Sequence, residues 1–439
     1  MKYSPFIYTG SLVATLLRQC LAAGGSEANS SQYQDPVLLL SSDPMFHFRM
    51  LAPFGQAASG GVDIAPMLGV AKAIEAGNME SFTEEFYKLA VKTKAQAEDP
   101  ANSFDPINVR DTWFSASTYY RKASNYVLRD FDDPRIKDYW VDQTEAFNKG
   151  IAALTIPGER LLIPAPEGNF TVEAVWYAAS HEQVKAPTLI VGNGFDAAQE
   201  DSYHVYCGPA LARGWNCITY EGPGQPTVRR NQNIGFIPNW ELAVTPVVDW
   251  LMQEKAHRVD TEKLALLGNS LGGYLAARAT AFEPRIKAAL LVGGIWNFGS
   301  TLFNTMVPEP LAASFETGDY EAFDEGIYEL RNSTGIPTSL AWAIDQALWA
   351  FNTRSPAEMF NKALEFKVED FIEKIKVPVF VGDGEFDVSV AGQPEKVAQA
   401  LGDKATLHKF MGVAGYHVQA GAGQELTRTL FAWLNKTLG

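Results

Sequence analysis

The sequence predicts an α/β fold: a mostly parallel, doubly wound sheet, preceded by an N-terminal helical domain and interrupted by a helical lid insertion. Three observations carry this. From about Pro36 to Leu154 the apolar residues recur at helical spacing. From Ile156 onward, short runs rich in β-branched and apolar residues alternate with helical runs. The alternation lapses once, between about Gly299 and Val368, in helical pieces rich in large apolar residues. The expected divisions are 1–35, a leader or signal peptide with a linker; 36–155, the helical domain; 156–298, the first part of the core; 299–368, the lid insertion; and 369–439, the second part of the core.

The first residues can be read in two ways. Lys2 and the apolar stretch Phe6 to Ala23 could form a secretory signal, but Arg18 interrupts it and the cleavage site is poorly defined. The stretch is too short and interrupted for a membrane span. Sequons at Asn29, Asn169, Asn332 and Asn435 fit secretion and also arise by chance. A cytoplasmic location is expected, with secretion as the alternative.

In the helical domain, Ser81-x-x-Glu84 reads as a capping box ahead of Phe82, Phe86 and Leu89. Asn108 reads as the cap of a helix bearing Trp113, Phe114, Tyr119, Tyr120 and Tyr126, and Asp133-Pro134 opens another through Tyr139, Trp140 and Phe147. Aromatic stripes at this spacing are core rather than a ligand cage. Leu161–Ile163 and Val172–Trp176 read as an antiparallel hairpin. Strands follow at Thr188–Val191, Cys217–Tyr220, Lys263–Leu267, Ile286–Val292, Val377–Val381 and Thr406–Phe410, with helices over Tyr203–Arg213, Trp240–Glu254 and Gln424–Leu438.

Composition excludes several functions. A net charge of −15, with Lys and Arg nowhere gathered into a basic stretch, opposes nucleic-acid binding. Cys20, Cys207 and Cys217 form neither a disulfide framework nor a metal-ligand spacing, and Cys207 and Cys217 read as buried free thiols. No metal and no cofactor are expected. Glu221-Gly222-Pro223-Gly224-Gln225 follows a strand but lacks the Gly-Lys-Ser/Thr ending of a phosphate loop; it reads as part of a cleft rim.

The chemistry centres on Gly268-Asn269-Ser270-Leu271-Gly272, set between the run Lys263–Leu267 and a helical run from Tyr274. Strand, Gly-x-Ser-x-Gly and helix together make the setting of a nucleophile elbow, with Ser270 as nucleophile. A serine hydroxyl needs a base, and the base an orienting anion. Only His408 and His417 lie downstream. His408 falls within a strand and His417 in the loop after it, so His417 is the expected general base. The loop after Val381 offers Asp383, Glu385 and Asp387; Asp387 is favoured because the turn before it can swing its carboxylate towards the histidine. Two backbone amides should hold the oxyanion: Leu271, and Phe195 in the loop after Val191, with Gly194 as its alternative.

Together these stretches resemble a branch of the α/β-hydrolase superfamily. It is the branch with an N-terminal helical domain that includes 2,6-dihydroxypseudooxynicotine hydrolase and fungal fusarin- and cytochalasin-pathway hydrolases. The most specific stretches are Tyr119-Tyr120-Arg121-Lys122-Ala123, Gly194-Phe195-Asp196-Ala197-Ala198-Gln199-Glu200, Glu221-Gly222-Pro223-Gly224-Gln225 and the elbow through Tyr274. Where the family loop usually reads Asp-Gly-Pro-Gly-Gln-Gly, this chain has Glu221 and Pro226. The resemblance implies the α/β-hydrolase fold, Ser270, Asp387 and His417 as a triad, and a cleft between the helical domain and the sheet. It also implies action on a C–C, ester or amide bond of a bulky apolar small molecule, a polyketide or polyketide–amino-acid hybrid, in a fungal biosynthetic pathway. A general carboxylesterase or a cyclase with the same triad is the alternative, and a homodimer stays open.

Overall fold

The protein is described by a computed structural model covering residues 35–439. The expected leader, Cys20 and the sequon at Asn29 lie outside the described residues. Among the described residues no helix is long and apolar enough to cross a membrane.

The N-terminal part is helical: α1 (Pro44–Phe54), α2 (Ile64–Ala73), α3 (Met79–Glu98), α4 (Pro106–Ala123) and α5 (Arg135–Ala152). Two caps differ from expectation. Asn78, not Ser81, caps α3, accepting from the amide of Ser81, while the Ser81 hydroxyl accepts from the amide of Glu75. Asp105 caps α4 by accepting from the amide of Asn108, with Pro106 at the first position, where its missing N–H costs nothing. In both cases the true cap lies three residues upstream of the expected one. Phe46, Phe82, Phe86 and Tyr126 pack on one another at ring-centroid distances of 4.8–5.4 Å, so these rings form a core.

The sheet has eight strands: β1 (Glu159–Ala165), β2 (Phe170–Tyr177), β3 (Ala186–Gly192), β4 (Asn216–Glu221), β5 (Val259–Asn269), β6 (Ala288–Val292), β7 (Val379–Gly384) and β8 (Ala405–Phe410), in the order β1-β2-β4-β3-β5-β6-β7-β8. β2 runs antiparallel to both its neighbours, and every pairing from β4 to β8 is parallel. Every residue of β4, β6 and β7 is buried, and β6 accordingly reads as an unbroken apolar run.

Between β3 and β4 lie α6 (Gln199–Ser202), a π-helical turn (Tyr203–Cys207) and α7 (Gly208–Leu211). Between β4 and β5 come α8 (Pro226–Gln232) and α9 (Glu241–Glu254). The elbow helix α10 (Gly272–Phe282) follows β5. Five helices, α11 (Phe298–Met306), α12 (Glu309–Thr317), α13 (Tyr320–Asn332), α14 (Thr338–Ala350) and α15 (Pro356–Ala363), stand between β6 and β7. The chain closes with α16 (Gln393–Leu401), β8 and α17 (Gly423–Leu438). One face of the sheet packs against α9, α10 and the five-helix insertion, the other against α4, α5, the α6–α7 segment and α17.

The expectation of free thiols at Cys207 and Cys217 is corrected. The two are joined in a disulfide, with Cα atoms 5.4 Å apart. The π turn ends at Cys207, and the chain reverses through α7 to bring Cys217 alongside it as the second residue of β4. Both are fully buried. A ten-residue spacing gave no hint, because that proximity depends on the return of the chain from helix to strand.

Candidate active site

At the elbow, β5 ends at Asn269 and α10 begins at Gly272, leaving two residues for the reversal. Ser270 adopts φ +61°, a left-handed conformation rare for a residue with a side chain. Its amide donates to the carbonyl of Val292 (2.8 Å), and its own carbonyl accepts from the amide of Gly273 (2.8 Å). A Cβ at Gly268 would overlap the carbonyl of Gly272, and one at Gly272 would come 2.8 Å from the carbonyl oxygen of Asn193. The sequence requires glycine two residues to either side of Ser270 for this reason.

The structure brings Ser270, His417 and Asp387 together. His417 Nε2 lies 2.9 Å from Ser270 Oγ, and Nδ1 lies 2.6 Å from Asp387 Oδ2. The His417 side chain is 20% exposed and that of Asp387 only 2%. Partial burial disfavours the imidazolium. The charge and hydrogen bond of Asp387 outweigh this, so the His417 pKa stands above the ordinary histidine value. His417 follows β8 on a loop whose next residues, Val418 and Gln419, both have positive φ. His408 lies within β8, as expected.

The other acids of the β7 loop are committed elsewhere. Asp383, the last residue but one of β7, pairs with Lys409 Nζ at 2.9 Å. Glu385 accepts from the amide of Gly412 at 2.7 Å and so braces the histidine loop. Asp387 also accepts from the amide of Ser389 through its other oxygen, at 3.1 Å.

The loop after β3 lies against the elbow. A Cβ on Gly194 would stand 2.5 Å from the carbonyl oxygen of Asn269 and 2.7 Å from the amide nitrogen of Leu271. Among the described residues, the amides of Gly194, Phe195 and Leu271 have no hydrogen-bond acceptor, whereas the carbonyls of Asn193, Gly194, Phe195 and Asp196 each accept from a side chain. Gln225 Nε2 donates to the carbonyls of Asn193 (2.7 Å) and Gly194 (3.4 Å). Gln346 Nε2, from α14 of the insertion, donates to that of Phe195 at 2.9 Å. Arg121, from α4, donates to the carbonyl of Asp196.

The carboxylate of Asp196 is held by Arg49, whose Nη1 approaches Oδ2 at 2.5 Å. Burial alone would raise the Asp196 pKa, but the charges of Arg49 and Arg121 reverse this and leave it below the ordinary value. The Arg49 guanidinium also lies 4.3 Å over the ring of Trp342. Arg49 of α1 therefore joins the helical region and the insertion to the loop beside Ser270. Phe48, its neighbour, faces His417 at 6.2 Å between ring centroids. Among the described residues no group of three or more His, Cys, Asp or Glu side chains is placed to hold a metal ion.

Comparison with known proteins shows the family and the fold. A profile described as the alpha/beta hydrolase family matches residues 189–424, more than half of the chain. The chain belongs to the alpha/beta hydrolase family. Hydrolase LUC6 of Fusarium sp is 30% identical over 410 residues, covering 90% of this chain and 96% of that protein. The 20-hydroxy-prefusarin hydrolase FUS2 of Gibberella moniliformis is 27% identical over 408 residues, covering 89% and 96%. Among solved structures, 2,6-dihydroxy-pseudo-oxynicotine hydrolase superposes with a TM-score of 0.66 at 18% identity, over 88% of this chain and 95% of that one. At that identity the likeness extends to the fold, including the helical N-terminal region and the mostly parallel sheet.

Arg49, Gln225 and Gln346 were not singled out as site residues in the sequence. Gln225 and Arg121 do fall in stretches that carry the family resemblance, which was the only signal available for them. Nothing local marks Arg49 or Gln346, because their partners lie 147 and 151 residues away.

Proposed function

We propose that this alpha/beta hydrolase cleaves a carbonyl compound through a covalent Ser270 intermediate. The observation that carries the reading is the unbroken hydrogen-bonded series Ser270 Oγ, His417 Nε2, His417 Nδ1, Asp387 Oδ2. As Oγ attacks the carbonyl carbon, its proton passes to Nε2, and Asp387 stabilises the resulting imidazolium and fixes the ring. The oxyanion forms against the amides of Phe195 and Leu271. Collapse of the tetrahedral species expels the leaving group, which takes the proton from Nε2. Water then attacks the acyl carbon as the same base accepts its proton, and the second tetrahedral species breaks the bond to Ser270 Oγ, which takes the proton back from Nε2 as the acid leaves.

The substrate in this reading is a bulky, largely apolar secondary-metabolite intermediate, a polyketide or polyketide–amino-acid hybrid, cleaved at an ester, amide or C–C bond. Phe48, Phe195 and Trp342 supply aromatic surface near Ser270, and the name of the FUS2 relative supports the substrate class. The five-helix insertion serves as a lid: α14 reaches the site through Trp342 and Gln346. Most of its other rings are spent on its own core, as in the cluster of Phe303, Phe315, Phe323 and Phe360.

The test is Ser270→Ala together with labelling by a fluorophosphonate. The wild type should be labelled at Ser270 and should hydrolyse p-nitrophenyl acetate; the variant should lose labelling and about 10⁴-fold or more in kcat. Unaltered turnover by the variant would overturn the proposal. Brisk hydrolysis of many short-chain esters would favour a general carboxylesterase over a dedicated pathway enzyme.

A further inference from the structure

The segment Glu221-Gly222-Pro223-Gly224-Gln225 follows β4 and touches none of the three residues of the relay, yet its last side chain is wholly buried. The Gln225 carboxamide uses both ends. Its Oε1 accepts from the amide of Gly222 at 2.9 Å, which closes the turn. Its Nε2 donates to two successive carbonyls of the loop after β3, those of Asn193 and Gly194. Glu221 anchors the same turn by accepting from the amides of Gln199 (2.8 Å) and Thr227 (2.5 Å), near the starts of α6 and α8.

We infer that Gln225 is the positioning residue of the oxyanion site, an inference that rests on the reading of Phe195 and Leu271 given above. A trans peptide is planar, and its C=O and N–H point in opposite directions. With the carbonyls of Asn193 and Gly194 held on Nε2, the amides of Gly194 and Phe195, which belong to the same two peptides, are turned away from Gln225. A Cβ on Gly194 would stand 2.7 Å from the Leu271 amide nitrogen and 2.9 Å from Ser270 Cβ, so the loop is packed on the elbow, and we take the side of these peptides away from Gln225 as the one that faces Ser270. The glutamine touches no reacting atom. It decides where the loop amides point, and it does so without reorganisation when charge appears on the substrate oxygen.

The test uses Gln225→Glu, which keeps shape but places carboxylate oxygens against two carbonyls, and Gln225→Met, which keeps volume and only removes the donor. Three readouts are taken on the full chain with p-nitrophenyl acetate and a phenylboronic acid, which forms a tetrahedral adduct on an activated serine. For Gln225→Glu, kcat should fall by about 10²-fold, near the effect of losing one oxyanion donor, with KM little changed. Boronate affinity should fall by a similar factor, and the acid limb of the pH profile should stay in place because His417 and Asp387 are untouched. For Gln225→Met the same pattern should appear at about tenfold.

A folded Gln225→Glu protein with wild-type kcat and boronate affinity would overturn the inference. So would a loss confined to KM, a shifted acid limb, or failure of both variants to fold, which would make Gln225 a residue of the fold alone. Ser270→Ala separates this from the parent reading. If that variant remains active, or the wild type takes no boronate, the serine mechanism itself fails. If Ser270 is essential and only the Gln225 variants are unaffected, the positioning role alone falls.

Discussion

The series Ser270–His417–Asp387 and the loop proposed to hold the oxyanion meet at one serine and are assembled in opposite ways. Ser270, Asp387 and His417 each stand just beyond the carboxyl end of a parallel strand, β5, β7 and β8, and two hydrogen bonds join them. The strands from β5 to β8 lie side by side in chain order, so the order of the three residues in the chain follows their order across the sheet. The loop Asn193–Asp196 is instead held from outside by Arg49 and Arg121 of the helical region, Gln225 of the β4 turn and Gln346 of the insertion. The sheet supplies the groups that would move protons; the elements wrapped around it set the shape in which charge would be received.

Three substitutions test that contrast. The largest effect is expected for Asp387→Asn, which should lower kcat by about 10⁴-fold by leaving the imidazole in the wrong tautomer. His417 must be neutral to accept a proton, and the Asp387 charge helps to raise its pKa, so the acid limb of kcat/KM in the wild type should lie above the ordinary histidine value. Removing the charge should move that limb to lower pH. A limb that stays in place would show that the pair does not titrate as a unit.

Arg49→Met attacks the outer support instead. It leaves the largely buried carboxylate of Asp196 with less compensation, and urea unfolding should register a loss of about 3 kcal/mol. The Asp196 pKa is depressed in the folded protein, so its contribution to stability is present above the unfolded carboxylate pKa and is lost as pH falls through the folded value. Without Arg49 that folded value rises, and the acid-side loss of stability should begin at higher pH. An unchanged acid transition would place the support of Asp196 on Arg121 alone.

The smallest effect is expected for Asp383→Asn, below about threefold in kcat/KM. Its partner Lys409 is 48% exposed, and such pairs contribute little. A large loss would reopen the choice of acid.

Much of this was legible in the sequence, for physical reasons visible in particular residues. Apolar runs such as Leu264–Leu267 and Ala288–Val292 gave the strands, because a strand covered on both faces has no polar side. The elbow was legible because Gly268 and Gly272 answer a local steric demand. The histidine was found by elimination, since His408 lies in a strand. Caps were read three residues late because Asn78 and Asp105 compete with equally suitable neighbours. The Cys207–Cys217 bond, the Arg49–Asp196 pair and the Gln346 contact were not legible, since each depends on tertiary return of the chain rather than on spacing. The insertion was read as apolar and helical, but not that most of its aromatics pack on one another.

The separation of these partners along the chain also bears on synthesis. Ser270 and His417 are 147 residues apart, and Tyr416, beside the histidine, donates its hydroxyl proton to Asp35 across 381. In the proposed mechanism, a chain that has emerged only as far as the elbow carries the nucleophile without its base, and the segment around Asp35 waits for Tyr416. On the proposed mechanism, a product that ends before the β8 loop lacks the base that Ser270 needs.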